Sequence, residues 1–509
     1  MTVDTPDWVR DAAFYQIFPD RFAASDRVRK PGAVEAWDTP PTTHGFKGGD
    51  LLGIVERLDY LEDLGINAIY MTPIFQSASN HRYHTYDYFK VDPLLGGDAA
   101  LRELLDRAHE RGMRVVLDGV FNHTGRGFWA FHHILEAGSA SPYRDWFHLD
   151  PDVLAGHRLL TPYPPLDAPT GFSLGYKAWW GLPALPKINT DHPDAREYLL
   201  SVAEHWLRFG IDGWRLDVPT EIDDPSFWAE FRRRCRAIRP DAYLVGEIWE
   251  VAPEWVGDDG FDALMDYPLG EAILGFVGGP SLDMGVVRAH QEYRRHLRPL
   301  DAPGFARRLD ELLGVYDPDV VAVQLNLIGS HDAPRALTVL GGDVAALRMA
   351  TLLQCTLPGA PSVYYGDELG LTGGNDPANR ASFPWDPARW DTSLQRYVRS
   401  LLRLRASEAA LRHGSTTALH AGGPAFTFER RLDAGRLVVA VNPGMEAAVV
   451  EVAFEGVDGG RLEVVDLDEG DSASAAGAHG AEASPVEVVA GAARFVIPPR
   501  SGQVRRLTD

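Results

Sequence analysis

Through most of its 509 residues the chain repeats one rhythm, a short apolar strand-like run followed by an amphipathic helical pattern. Ala13 to Phe18 reads as a strand and Leu51 to Leu64 as a helix stopped at Gly65; Ala68 to Ile74 is the next strand and Ala99 to Arg111 the next helix, stopped at Gly112. Later strands are predicted at Val115 to Val120, Gly213 to Val218, Tyr243 to Trp249, Ala263 to Tyr267, Ala322 to Ile328 and Ser362 to Gly366. Helical patterns lie around Ala195 to Phe209, Phe227 to Ile238, Val344 to Leu357 and Leu394 to Leu411. Eight strands separated by helices predict an α/β fold. A closed TIM (β/α)8 barrel is favoured over an open doubly wound sheet, because no Gly-rich dinucleotide fingerprint follows the first strand.

Two stretches break the rhythm. Residues 124–190 are rich in Pro, Gly and aromatics, among them Phe128, Trp129, Tyr143, Trp146, Tyr163, Tyr176, Trp179 and Trp180. A structureless loop of that length is unusual, so an inserted subdomain overhanging the C-terminal face of the barrel is expected. Its aromatics would form a small core or stack on a flat apolar ligand face such as a sugar ring. After Ser415, short strands at Thr416 to Leu419, Ala425 to Arg430, Arg436 to Asn442, Ala448 to Phe454, Leu462 to Asp466, Val486 to Val489 and Ala493 to Ile497 predict a C-terminal antiparallel β-sandwich. Asp468 to Pro485 reads as a surface loop. The expected division is a barrel over 1–123 and 191–414, an insert over 124–190 and a sandwich over 415–509.

Charge narrows the partners. Lys and Arg total 49 against 72 Asp and Glu, a net charge of -23, which opposes charge-driven binding to nucleic acid or anionic lipid and points to a small neutral ligand. Cys235 and Cys355 are the only cysteines and lie far apart, so neither a disulfide framework nor a cysteine metal site is expected. No leader-like pattern opens the chain and no apolar run reaches membrane-spanning length, so a cytoplasmic protein is expected, monomer or homodimer being undecided.

The chemistry gathers at strand ends. The third strand runs into Asp118-Gly-Val-Phe-Asn-His123, the fourth into Arg215-Leu-Asp217, the fifth into Glu247-Ile-Trp249 and the seventh into Gly329-Ser-His331-Asp332. In a barrel these converge on the C-terminal rim, where active sites sit. Each residue alone has a structural reading; Arg215 and Asp217, two apart on one strand face, could be a plain buried ion pair. The set together is poorly explained that way, because crowded carboxylates repel. A metal hydrolase lacks HExxH, and a serine triad lacks its G-x-S-x-G elbow. Acetal cleavage fits, with Asp217 ionised beside Arg215 as nucleophile and Glu247, raised by apolar neighbours such as Ile248 and Trp249, as general acid. A separation of ~5 Å would mean retention of anomeric configuration, and ~7 Å or more inversion.

These four motifs, in this order and spacing, resemble the α-amylase family of retaining glycoside hydrolases from Trp8 to the C-terminal sandwich. The resemblance implies Asp217 as nucleophile, Glu247 as acid/base and Asp332 as the third carboxylate, which holds ring hydroxyls and favours the distorted sugar. It further implies sugar contacts from His123, His331 and Arg380, a stacking role for Tyr83, supporting places for Asp118 and Asn122, and orientation of the nucleophile by Arg215. Within the family, Leu185-Pro-Lys-Ile-Asn189 resembles the MPKLN motif of neopullulanases, cyclomaltodextrinases and maltogenic amylases, and Val218-Pro-Thr-Glu221 resembles their VANE, with Glu221 kept. Trp249 and Glu221 join the expected substrate contacts. The implied substrates are short α-1,4-glucans: maltooligosaccharides, cyclodextrins and pullulan, with some transglycosylation.

Three departures qualify the carry-over. The barrel pattern begins almost at once, where that branch usually carries an extra N-terminal β-domain, so its dimer and cyclodextrin preference are not carried over. Thr220-Glu221 stands where many α-amylases have Lys-His at a calcium site, and Ala23 to Lys30 lacks the usual Asp/Asn-rich calcium loop. No essential cofactor is therefore expected; calcium is left open but not predicted, even though Asn122 remains. His84 occupies a position that is usually Asp. The alternative functions are an α-glucanotransferase, in which sugar outcompetes water, and a non-catalytic glucan-binding protein, which would typically have lost one of the three carboxylates.

Overall fold

The computed structural model describes residues 3–30, 32–169, 171–222, 224–467 and 484–508. Eight parallel strands, Phe14–Ile17, Ala68–Met71, Arg114–Gly119, Gly213–Leu216, Tyr243–Gly246, Ala263–Asp266, Leu325–Asn326 and Ala360–Tyr364, close into a barrel, the last pairing with the first. The expected (β/α)8 architecture is present. Its seventh strand is shorter than Ala322 to Ile328, because helix Pro318–Val321 runs up to its start and only Leu325–Asn326 ladders on both sides.

Side-chain alternation sets what reaches the mouth. Leu117, Trp214, Leu216 and Leu244 face the surrounding helices and join the large core, while Phe14, Tyr70, Val116, Tyr243, Val245 and Met265 fill the barrel interior. Extending the inward phase along each strand delivers Gln16, Asp118, Arg215, Asp217 and Glu247 to the C-terminal end. A slip of one residue in the fourth strand would drive Arg215 among the helices without a partner, at a cost on the order of several kcal/mol.

Helix Pro193–Phe209 is closed by Gly210, whose left-handed backbone (φ 115°) turns the chain into the fourth strand. Leu51 to Leu64 forms two helices, Leu51–Val55 and Leu58–Leu64, and Leu394 to Leu411 divides into Thr392–Ser407 and Ala409–His413. Helix Tyr267–Gly278 went unpredicted: it is buried on every side, so it has no polar face for periodicity to reveal. A hairpin, Phe75–Ser77 with Thr85–Val91, also follows the second strand unpredicted and brackets Tyr83.

Between the third strand and helix Pro193–Phe209 the chain makes a long excursion that carries helices Trp129–Ala137 and Pro151–Leu154; an antiparallel bridge between His123 and Lys187 pins it to the barrel mouth, and one between Phe147 and Ile188 ties it together. Phe128, Phe131, Trp146, Phe147 and Tyr176 pack into the core, whereas Tyr163 and Trp180 are 70% and 68% exposed.

The C-terminal sheet has eight antiparallel strands: Ser415–Gly422, Ala425–Leu432, Gly435–Asn442, Ala448–Ala453, Gly459–Val464, Val486–Val489, Ala492–Ile497 and Ser501–Thr508. The last was not predicted, since Gln503, Arg505 and Arg506 obscure its alternation, yet it lies between Gly435–Asn442 and Gly459–Val464 near the middle of the ladder. Phe426, Phe428, Val439 and Val441 pack toward the barrel helices, while Val438, Ala440, Val450 and Phe495 make a second core where the sheet folds over itself as a sandwich. Most of the surface loop expected at Asp468 to Pro485 lies outside the described residues. Among the described residues no helix is long and apolar enough to cross a membrane.

Candidate active site

Arg215, fully buried at the end of the fourth strand, is the hub of the barrel mouth. Its Nη1 donates to both oxygens of Asp118 (2.9 Å each) and to Asp217 Oδ1 (3.0 Å), its Nη2 lies 2.8 Å from Glu247 Oε2, and its Nε donates to Met265 Sδ (3.4 Å). One positive charge thus faces three acids. Burial, the neighbouring Glu247 charge and, against them, Arg215 leave Asp217 well above the usual carboxylate range. Burial likewise lifts Glu247 to about 7, with Arg215 opposing and Asp332 adding to the rise. Asp118 is raised by burial too but is the best-supplied anion: besides Arg215 it accepts from Tyr70 Oη (2.8 Å) and Tyr83 Oη (2.9 Å). Arg215, expected at Asp217, is therefore shared, while the outer oxygen of Asp217 has no hydrogen-bond partner among the described residues.

Two features aim Glu247. Val218, directly after Asp217, takes a left-handed conformation (φ 36°, ψ 53°) and points its N–H at Glu247 Oε2 (3.1 Å). A β-branched residue there is a true outlier, costing on the order of 1–3 kcal/mol, and such strain collects at functional sites. Trp249, expected as an apolar neighbour and sugar contact, also places its Nε1–H 3.4 Å from Glu247 Oε1 and stacks on Tyr267 with ring centroids 3.5 Å apart.

A second cluster flanks these acids. Gln16 Nε2 donates to His331 Nδ1 (2.8 Å), which leaves the imidazole proton on Nε2, facing Tyr83 Oη (2.5 Å) and Asp332 Oδ2 (3.0 Å). Tyr83 passes its own proton toward Asp118 and lies parallel to the His331 ring (5.5 Å, 5°). Burial, then the charges of Arg380 and Arg215, keep His331 neutral, far below the usual histidine value. Arg380 braces the group through Nε to the His331 carbonyl (2.8 Å) and Nη2 to Asp332 Oδ1 (3.2 Å). Asp332 keeps 32% of its side chain exposed, open to the cleft.

His123 is fully buried at the other side, its pKa brought down to about 3 chiefly by burial, and its Nε2 has no partner among the described residues. Asn122 Nδ2 lies 3.2 Å from His123 Nδ1. Glu221 sits apart from the acids: Lys187 of the excursion holds its backbone oxygen (2.5 Å) and carboxylate (3.3 Å). Among the described residues no group of three or more His, Cys, Asp or Glu is arranged to hold a metal ion.

Sequence reasoning missed Gln16, Tyr70, Tyr267 and His290. Gln16 and Tyr70 lie in the inward phase of their strands, and Tyr267 continues that phase one residue beyond Ala263–Asp266, a signal that was available; His290, whose Nε2 lies 3.0 Å from the Asp332 carbonyl, has no motif to mark it.

The profile of the alpha amylase catalytic domain matches residues 16–400 of the chain. This chain belongs to the α-amylase family. Over 418 residues this chain is 44% identical to a cyclomaltodextrinase of Geobacillus thermopakistaniensis (strain MAS1), a match that covers 82% of this chain and 66% of that relative's length. A solved structure from Thermus thermophilus superposes with a TM-score of 0.88 at 45% identity, over 98% of this chain and 100% of the other. The debranching enzyme from Nostoc punctiforme superposes with a TM-score of 0.84 at 43% identity, over 99% and 100%. The barrel is accordingly an α-amylase catalytic domain and the protein an enzyme of that family.

Proposed function

We propose that this α-amylase family member hydrolyses α-1,4-glucosidic bonds in maltooligosaccharides, cyclodextrins and related short α-glucans, with retention of configuration. The observation that carries the reading is the placement of Asp217 and Glu247 on the two terminal nitrogens of one buried guanidinium. That closeness suits the ~5–5.5 Å separation of retaining enzymes rather than the wider gap that must admit a water. Asp217 attacks the anomeric carbon while Glu247 gives its proton to the departing glycosidic oxygen, forming a glycosyl ester. Glu247, now a carboxylate, takes a proton from water, whose oxygen attacks the same carbon and frees Asp217.

Proton placement follows from the crowding. The pair shares too little positive charge for both acids to ionise at once, so one proton is held between them; in the reactive form it sits on Glu247, where its repulsion of Asp217 vanishes and Arg215 opposes the burial that raises Asp217. Neutral His331, His123, Arg380 and Asp332 supply hydrogen bonds to the sugar hydroxyls, and Tyr83 offers it a ring face.

The cyclomaltodextrinase match supports short and cyclic α-glucans as substrates. The debranching enzyme, equally similar in sequence, favours a second reading in which α-1,6 branch points are cut as well. A panel of maltotriose, maltoheptaose, cyclodextrins, pullulan and branched dextrins, with the first-formed anomers followed by NMR, tests both. Initial α-anomers are expected; initial β-anomers would overturn the double displacement. New, longer oligosaccharides dominating at high substrate concentration would convert the assignment to a transferase.

A further inference from the structure

Three rings lead from the catalytic pocket to the surface. His123 stacks on Trp179 (5.1 Å, 13°), and Trp179 stacks on Trp180 (4.7 Å, 9°). Trp180 is 68% exposed: one face lies on Trp179 and the other stands in water. We propose that Trp180 is the outer platform on which a glucosyl unit of a bound α-glucan stacks beyond the catalytic pocket, an inference that rests on the glucan reading above.

The small-core explanation that accounts for Trp146 and Tyr176 does not reach Trp180, since they are buried and it is not. Its backbone is also costly. Trp180 adopts a left-handed conformation (φ 51°, ψ 19°) that Gly or Asn takes readily and a bulky side chain rarely does. A strained backbone that presents a large aromatic to solvent is better accounted for by a ligand than by packing. The turn is also held in place. Trp179 N–H donates to Leu185 O (3.0 Å), Leu182 N–H to Trp179 O (2.9 Å), and Thr124 N–H to Pro186 O (3.0 Å), which fastens this segment to the strand end carrying His123. The platform is therefore registered to the pocket. A pyranose presents a flat face of C–H groups, the complement of an exposed indole face, and such a contact is indifferent to which hydroxyls point sideways. Trp180 touches none of the catalytic carboxylates, so its contribution grows with chain length and vanishes for a substrate too short to reach it.

The test compares Trp180→Ala and Trp180→Phe with the unaltered chain on maltotriose through maltoheptaose. Trp180→Ala should lose about 3- to 10-fold in kcat/KM on maltoheptaose, through KM, with maltotriose unchanged, and Trp180→Phe should recover most of the loss. Calorimetric titration of maltoheptaose into Glu247→Gln, with and without Trp180→Ala, gives a readout that needs no turnover and should show the same factor in Kd. An equal loss at every length, or equal affinity in the two titrations, overturns the platform. Failure of the unaltered enzyme to cleave any α-glucan would instead strike the functional reading, and the titrations would still decide the role of Trp180.

Discussion

The two ends of the fourth barrel strand carry the same residue in opposite company. At the entrance Asp212, fully buried, accepts from Arg114 Nη1 (2.9 Å), Arg239 Nη2 (2.5 Å), His109 Nε2 (2.8 Å) and the Val115 N–H (2.8 Å). At the exit Asp217 shares its one arginine with Asp118 and Glu247. Burial would raise Asp212, but His109, Arg239, Val115 and Arg114 together hold it below the usual carboxylate value; the same burial at the exit, with acids for neighbours, drives Asp217 well above it. The sixth strand repeats the entrance pattern, Arg232 (2.5 Å) and Arg236 (2.6 Å) both reaching Asp262. One rim of the barrel spends charge on holding itself together, and the other keeps its charges unsatisfied and available for chemistry.

The largest expected effect breaks the exit end. Glu247→Gln should reduce kcat/KM by about 10²–10⁴-fold, the range of general acid–base contributions, with cooperative unfolding intact; unchanged turnover would remove Glu247 from the proton-transfer role. Asp217→Asn should be comparably inactive and melt at or above the unaltered protein, because one acid leaves a crowded cluster. Asp212→Asn should do the reverse. It takes the buried counter-charge from Arg114 and Arg239, leaving them only the half-exposed Asp241 (3.3 and 3.2 Å), and should cost about 3–5 kcal/mol of stability, read by urea denaturation, while activity below the melting transition persists. If Asp217→Asn unfolds the protein, or Asp212→Asn is folded and inactive, the contrast between the ends fails.

Acidity should separate the ends next. Glu247 ionises at about 7 when folded but near 4.5 when unfolded, so the unfolded chain gives up this proton first and stability declines by up to ~3 kcal/mol as pH rises from about 4.5 through about 7. Activity should fall over the upper part of that range as the acid is lost. Asp212, depressed in the folded state, contributes stability that is present above its unfolded value of 3.8 and disappears as pH falls below it. Urea midpoints from pH 3 to pH 8 should therefore lose part of their neutral-side slope in Glu247→Gln, since buried Asp217 and Glu368 are raised as well, and part of their acid-side slope in Asp212→Asn. The smallest effect expected is that of Val218→Gly, which relieves the left-handed strain next to Asp217. It should raise stability by about 1 kcal/mol and lower kcat a few-fold as the amide aimed at Glu247 loosens; an unchanged kcat would make that strain incidental.

Much of this is legible in the sequence. Strand alternation has a period of two, so a run such as Gly213–Leu216 declares which side chains share a face, and Asp118, Arg215, Asp217 and Glu247 could be carried to one rim by counting. Helix Tyr267–Gly278 and strand Ser501–Thr508 escaped because the first has no polar stripe and the second hides its apolar one behind arginines. His290 escaped because it caps Met284–Ala289, a helix too short to show a period.

By itself the sequence determined the barrel, its C-terminal sheet and the acids that line the mouth, since all three rest on local periodicity and on motifs read within a few residues. Only the tertiary structure decided how one guanidinium is divided among three carboxylates, that the proton on His331 faces Tyr83 and Asp332, and that Trp180 stands in water while Trp146 does not. Charge sums and hydrogen-bond partners are set by distances across strands, and those distances exist only once the barrel has closed.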